Sequence, residues 1–287
     1  TLLCHVLHKM KLDLKMLRKL LLTAQNIMLR LLICQQLKML LNTSKKIMDF
    51  HLTKEQEMIR KMFREFAENE VKPLAEEIDE EERFPMETIE KAAKLGMMGI
   101  YFPKQYGGAG GDVLSYAMCV EELSKVCAST GDILATHNGL CCDPILTHGT
   151  PEQKAKYLAP CCSGEQTVSF AFTEPETGSD PKMLKTRLVK QADGTYLLNG
   201  VKRFISNAAY DGPCVLFALE ANEDGKDIVT GLVIDKFCKG YSISSPWDKI
   251  GYKGSHVYDI FMDDIVVTED QILGKHGDGF TQLLGTT

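Results

Sequence analysis

Phe170-Ala171-Phe172-Thr173-Glu174-Pro175-Glu176-Thr177-Gly178-Ser179-Asp180 is the stretch whose character separates two kinds of chain. Ahead of it apolar residues recur at helical spacing, and behind it short alternating runs and turn signals dominate. Phe170 and Phe172 stand two apart, as on one face of a strand, where they can flank a ring system. The Thr-Glu-Pro run and the following Gly-Ser-Asp supply hydroxyls, a rigid turn and a glycine, Gly178, that lets a flat ligand approach the backbone. Turns of this composition also occur without function, so the flanking sequence has to decide between a site and an ordinary turn.

On the N-terminal side, Thr150-Pro151-Glu152-Gln153 supplies an N-cap, a proline at the first helical position and a glutamine at the third, starting a helix that runs out by Gly164. Helices are expected from Val113 to Val126 and from Asp132 to His148. Phe84-Pro85 opens another that stops near Leu95-Gly96, where glycine suits the C-terminal cap. The first helix is expected from Thr53, with Gln56 in capping-box register and an apolar stripe of Met58, Ile59, Met62, Phe63, Phe66, Val71 and Leu74. Tyr106-Gly-Gly-Ala-Gly-Gly-Asp112 lacks G-x-G-x-x-G spacing and follows helices, so it reads as a connector and not as a dinucleotide loop.

On the C-terminal side, Val168–Thr173, Leu184–Val189, Tyr196–Asn199, Arg203–Ser206, Val215–Glu220, Ile228–Ile234 and Val257–Met262 read as short strands, with Asp193-Gly194 and Asp224-Gly225 as turns. Their spacing suits a compact antiparallel barrel or sandwich. The chain turns apolar again after Gly274 to Gly279. The fold class is therefore α+β, an all-α domain followed by an antiparallel β-barrel or sandwich.

The formal charge of −6 conceals a break at Met48. Residues 1–47 hold nine Lys or Arg and one acid, Asp13, against 24 basic and 38 acidic residues from 48 to 287. They contain no Gly, Pro, Glu or aromatic residue, and cations interrupt every apolar run, which excludes a simple membrane span. The segment reads as a non-native or targeting extension ahead of a start at Met48, and no nucleic-acid partner is expected. Ten cysteines show neither C-x-x-C nor zinc-finger spacing, so reduced, buried thiols are expected and no metal site. That composition points to the cytoplasm, with the mitochondrial matrix as the other compartment.

Five motifs occur in order: Tyr106-Gly107-Gly108-Ala109-Gly110; Thr173-Glu174-Pro175 with Gly178-Ser179-Asp180; Leu198 to Asn207; Lys249-Ile250-Gly251-Tyr252-Lys253-Gly254-Ser255; and Leu273-Gly274 with Gly277 to Phe280. Together they resemble the acyl-CoA dehydrogenase family from Met48 to the end. The resemblance implies a helical domain over 48–166, a middle β-domain over 167–273 and, from 274 to 287, the start of a C-terminal helical bundle that this chain does not complete. It implies FAD as cofactor, an acyl-CoA substrate, a trans-2-enoyl-CoA product, an electron-transfer flavoprotein as partner and, at full length, a homo-oligomer, dimer or tetramer. An enoyl-CoA reductase of the same family, a flavin oxidase or monooxygenase on a non-CoA substrate, and a non-catalytic interaction protein that keeps the fold are the competing expectations.

Carried over position by position, Phe170, Phe172 and Thr173 stand where the family lines the pyrimidine side of the flavin. Gly178 and Ser179 stand where it meets flavin and CoA chain, so Ser179 is also the substrate-binding candidate. Phe204, by itself more readily a core aromatic than a site residue, stands two residues before Ser206 in the matching motif, where an aromatic covers the isoalloxazine. Ser206 stands where a threonine hydroxyl reaches toward N5, and keeps that hydroxyl without the methyl that restricts its rotamer. Ser255-His256-Val257 departs from the Ser-x-Thr of many members, which puts the CoA contacts of that loop in doubt. Glu174 is assigned to fixing its turn. No residue here is assigned as the catalytic base, which in this family belongs to the C-terminal bundle, beyond Thr287.

Overall fold

Thr53 and Gln56 close the expected capping box: the Gln56 amide donates to Thr53 Oγ1 at 3.2 Å and the Thr53 amide to Gln56 Oε1 at 3.0 Å. They start α1 (Lys54–Phe66) in a computed structural model that describes residues 51–180 and 183–286. The extension 1–47 and the start at Met48 lie outside the described residues. Phe63, Phe66 and Val71 of the α1 stripe are buried, but Met58 is 66% exposed. The stripe is covered only along its second half, where α1 packs on the helix Val113–Ser124.

Pro73 has no amide to give, and the helix passes there through a π-turn (Ala67–Val71) and a 3-10 turn (Lys72–Leu74) before resuming as α2 (Ala75–Glu80). After α3 (Met86–Lys94), Gly96 takes φ +73°, the left-handed stop its sequence promised. A Cβ on Gly108 would sit 2.3 Å from the Phe102 carbonyl oxygen, so the glycine run serves close chain packing in a connector.

Asp112 caps α4 (Val113–Ser124). The helix expected to begin at Asp132 begins earlier and is interrupted: α5 (Ala128–Ala135), a π-turn (Thr136–Cys142) and α6 (Asp143–His148) run on without a break. Asn138 accounts for the interruption. Its Nδ2 donates to the Leu134 carbonyl four residues back and to Met97 O, both at 3.0 Å, so the side chain competes for the helix's own acceptor. The capping box at Thr150 starts α7 (Pro151–Gln153), which continues through a π-turn into α8 (Ala159–Ser163) and ends at Gly164 with φ +81°.

Glu122 on α4 ties this layer together. Its side chain, 2% exposed, takes Arg60 Nε at 2.8 Å, Arg64 Nε at 3.1 Å and Lys125 Nζ at 2.9 Å. Burial pushes its pKa up, but the hydrogen bonds from Arg64, Arg60 and Lys125 outweigh that and bring it to about 2. Because the folded pKa is depressed, this stabilisation is present above the ordinary carboxylate range and is lost as pH falls toward 2. Glu122→Gln is expected to cost about 2 kcal/mol, below the figure for a fully buried pair because the arginine heads are partly solvated. Urea unfolding at pH 7 and pH 3 measures it, and the wild type–variant gap should narrow at the lower pH.

The β-domain is one open sheet of eight strands: β1 (Ser169–Ala171), β2 (Arg187–Lys190), β3 (Tyr196–Ser206), β4 (Pro213–Ala221), β5 (Asp227–Asp235), β6 (Tyr241–Ile243), β7 (Val257–Val267) and β8 (Ile272–Leu273). The order is β6-β7-β3-β2-β4-β5-β8, with β1 also on β4. Most pairs are antiparallel as expected, but β1 and β2 both run parallel to β4. Gly194 (φ +88°) and Gly225 (φ +73°) make the two expected turns.

Tyr196–Asn199 and Arg203–Ser206 are not separate strands but one, β3, whose pairing with β7 shifts register at Leu198/Gly200 and at Lys202/Ile205. Gly200 is needed there because a Cβ would meet the Thr186 Cα at 2.7 Å. Helices and sheet share a core in which Cys141, Cys142, Ile145, Tyr157, Leu158, Cys161 and Cys162 pack on Val168, Val215, Phe217 and Val233. The chain ends in α9 (Gly279–Thr286), which packs on β5 and α6. The eight described cysteines are free, and all but Cys238 are buried. No helix among the described residues is long and apolar enough to cross a membrane.

Candidate functional site

The alternation of β1 leaves Phe170 half-buried while Ser169 and Ala171 point into the core. Phe170 and Phe172 both meet Phe217 of β4 edge-on, with centroids 5.3 and 6.4 Å apart. Thr173 is half-buried, and from Glu174 the chain folds back on itself: Glu174 N donates to Thr177 O at 2.9 Å and Thr177 N to Glu174 O at 3.1 Å. Thr177 Oγ1 closes the turn by donating to Met183 O at 2.6 Å. Gly178 and Ser179 are exposed at its tip, and a Cβ on Gly178 would meet nothing within 4 Å, so a ligand can lie against that backbone.

Glu174 is buried and fully engaged. Its carboxylate accepts from Lys202 Nζ at 2.8 Å and from the amides of Lys185 and Thr186 at 2.6 and 3.1 Å. Burial raises its pKa, but the charge and hydrogen bond of Lys202 and the two amides more than reverse this and hold it below the usual value.

The second register shift of β3 brings the other part of the site alongside. Arg203 N donates to Thr173 O at 2.7 Å, fastening the turn to the bulge. Phe204 follows in the left-handed region at φ +59° and is 52% exposed, which excludes the core-aromatic alternative. A non-glycine residue held there is strained, and such strain persists only where the surroundings fix it. Here Trp247 lies edge-on to Phe204 at 5.0 Å, and the Arg203 guanidinium lies 5.2 Å from the Trp247 ring. Asp259 holds both partners, taking Arg203 Nη2 at 3.0 Å and Trp247 Nε1 at 2.9 Å. Ser206, half-buried, ends β3 opposite Val257.

Lys202, Arg203, Trp247 and Asp259 had no role assigned from sequence. Trp247, the chain's single tryptophan, is the one signal that could have drawn attention to its loop. The doubtful loop is occupied by internal contacts. Ser255 Oγ donates to Asp132 Oδ2 at 2.9 Å, and His256 bonds the Glu82 carbonyl through Nε2 and lies 3.3 and 3.2 Å from the Tyr210 and Tyr258 hydroxyls through Nδ1. These contacts bind the β-domain to the helical layer.

An exposed, fixed aromatic at the bulge, two half-buried phenylalanines, an open backbone at Gly178 and hydroxyls at Thr173 and Ser206 suit a flat heterocycle with polar edges. The pattern of the acyl-CoA dehydrogenase N-terminal domain matches residues 53–165, and that of the acyl-CoA dehydrogenase middle domain matches residues 169–265. A short-chain specific acyl-CoA dehydrogenase of Clostridium acetobutylicum is 48% identical over 81% of this chain and 61% of its own length. A caffeyl-CoA reductase–Etf complex subunit of Acetobacterium woodii is 36% identical over 82% of this chain and 62% of its own.

Among solved structures, butyryl-CoA dehydrogenase from Megasphaera elsdenii superimposes with a TM-score of 0.79 at 35% identity, covering 83% of this chain and 63% of that one. Acyl-CoA dehydrogenase complexed with FAD from Bacillus anthracis gives 0.77 at 31% identity, covering 84% of this chain and 41% of that one. The chain thus spans about three-fifths of the length of the curated relatives it matches. With both domain patterns matched in order and similarity of this degree on either side of the turn, the chain belongs to the acyl-CoA dehydrogenase family.

Proposed function

We propose that this chain forms the helical and middle-domain side of a flavoenzyme that binds FAD and removes the α- and β-hydrogens of a short-chain acyl-CoA thioester, giving a trans-2-enoyl-CoA and passing electrons to an electron-transfer flavoprotein. The observation that carries this reading is the 2.7 Å bond from Arg203 N to Thr173 O, which sets the Thr173 turn beside the exposed Phe204 and the Ser206 hydroxyl. FAD, when bound, supplies the hydride acceptor. Phe170, Phe172 and Thr173 line one edge of the ring system, Phe204 covers its face, Ser206 donates to its polar edge, and Gly178 and Ser179 meet the flavin and the CoA chain. The α-proton of a thioester is too weakly acidic to leave unless donors are aimed at the developing enolate oxygen, so the site needs fixed hydroxyls and amides more than it needs charge. Glu174 does not serve as the base, because its carboxylate is buried and committed to Lys202.

The test is activity on butyryl-CoA with a dye acceptor, using a protein extended to the family's full length. It should be active, and Ser206→Ala should slow it about tenfold, the effect of one hydrogen bond to a polar ring edge. The 287-residue chain alone should bind FAD weakly and turn over nothing; a yellow, active chain of this length contradicts that expectation. The Acetobacterium woodii relative favours a second reading, the reverse reduction of an enoyl-CoA on the same residues. Faster turnover of crotonyl-CoA with a reduced dye would select it.

A further inference from the structure

Two lysines lie inside the β-domain at the edges of this site. Lys202, 0% exposed, donates to Glu174 Oε1 at 2.8 Å, Phe217 O at 2.6 Å and Phe172 O at 3.3 Å. Lys236, also buried, donates to Thr167 O at 3.0 Å, Asn207 O at 2.9 Å and Ser169 Oγ at 3.4 Å. Lys202 therefore fastens the C-terminal end of β1 and the Glu174 turn to β3 and β4. Lys236 fastens the N-terminal end of β1 to the residue that follows Ser206. Taking an ammonium out of water is costly, and a well-packed apolar pair of equal volume often stabilises a core as well or better. What the ion pair adds is geometry, since it dictates which carbonyls and which turn stand beside β3.

We infer that Lys202, acting through Glu174 and the Phe172 carbonyl, is a positioning residue of the flavin site. It holds the Thr173 turn and the Phe204 bulge in the register that admits a flat ring, and Lys236 holds the same two strands at their other ends. The inference rests on the flavin reading above. Burial depresses both ammonium groups, each to about 8. The groups that act on Lys202 are Glu174 and Cys214, and those on Lys236 are Cys214, Cys161, Cys141 and Asp211. Burial raises Cys214 to about 12 and Cys141 well above its ordinary value, and it lowers His137, which lies close enough to feel Lys236, to about 4.

A lysine whose folded pKa is near 8, against 10.5 unfolded, leaves the folded state with fewer protons in that window, so its own contribution to stability rises with pH there. Loss of the positioning charge and loss of the fold thus move in opposite directions between pH 7 and 9. A purely structural ion pair would not separate them.

The experiment compares the wild-type chain with the double variant Lys202→Met/Glu174→Gln. It measures thermal midpoint, deuterium uptake over residues 173–180, 183–186 and 203–206, and FAD affinity by quenching of Trp247. The variant should melt close to wild type, exchange faster in these segments and bind FAD at least roughly tenfold more weakly. Wild type should lose affinity from pH 7 to 9 without a parallel loss of midpoint, and the variant, in which only Lys236 still titrates in that window, should lose several-fold less. A folded variant with wild-type affinity and protection overturns the inference. If the variant does not fold, the wild-type pH series decides, and a flat affinity overturns it. A wild-type chain with no affinity for FAD at millimolar concentration contradicts the flavin reading itself, and the inference with it.

Discussion

Glu174→Ala should lower the unfolding free energy by about 3–5 kcal/mol at pH 7, because it leaves the ammonium of Lys202 without its counter-charge in a site with no access to water. The Lys185 and Thr186 amides lose their acceptor at the same time, so the turn loosens as well as the strand behind it. Urea midpoints of Glu174→Ala, Lys202→Met and the pair together form a double-mutant cycle. A coupling of about 2 kcal/mol or more is expected, since one removal strands the other partner. The folded carboxylate is held below its ordinary pKa, so the wild-type contribution is complete above about pH 4.5 and fades as pH falls through the folded value. Additive single effects would mean that the two groups are merely neighbours.

Gly108→Ala and Gly178→Ala should separate packing from site. At Gly108 the new Cβ would lie 2.3 Å from the Phe102 carbonyl oxygen and 2.6 Å from its Cβ, and backbone cannot swing aside as a flexible side chain can. A loss of about 3 kcal/mol is expected, measured as a fall in the thermal midpoint. At Gly178 the Cβ meets nothing within 4 Å, so stability should hold while FAD affinity falls, because the methyl stands where the ligand approaches. An unchanged midpoint for Gly108→Ala would reopen the question of what the glycine run is for.

The sequence exposes helix boundaries well because caps are local chemistry. Thr53 and Thr150 with their glutamines, and Gly96 and Gly164 with their left-handed backbone, act within four residues of themselves. It exposes the strands less evenly: β3 reads as two strands because its register shifts interrupt the alternation, and β6 and β8, three and two residues long, are not read at all. The parallel pairing of β1 and β2 with β4 depends on which distant strand lies alongside, and no local pattern encodes that. The π-turns ahead of Pro73 and at Asn138 also escape notice. A proline suggests a break, and the competing side-chain bond of Asn138 becomes evident only in three dimensions.

The site divides in the same way. The turn from Phe172 to Ser179 is legible as a turn from its Thr, Pro, Gly and Ser residues, and as a candidate flavin contact only through the ordered motifs that resemble the family. Phe204 is ambiguous by itself, since an aromatic in a strand usually packs inward, and only the bulge turns it out. Lys202 and Lys236 are hidden because charged residues default to solvent, and their burial depends on a carbonyl of β4 and on those of residues flanking β1 and β3. Trp247 joins the site through Asp259, a contact that pairs the loop after β6 with β7.

Trp247 also provides the most direct test of the central claim, that the Thr173 turn and the Phe204 bulge form one wall of a flavin site. It is the only tryptophan in 287 residues and stands 5.0 Å from the Phe204 ring, so its emission reports on this wall alone. Titration of the chain with FAD should quench that emission saturably, and Phe204→Ala should shift the midpoint to higher FAD by about tenfold. Quenching that never saturates, or that is the same in Phe204→Ala, would contradict the assignment.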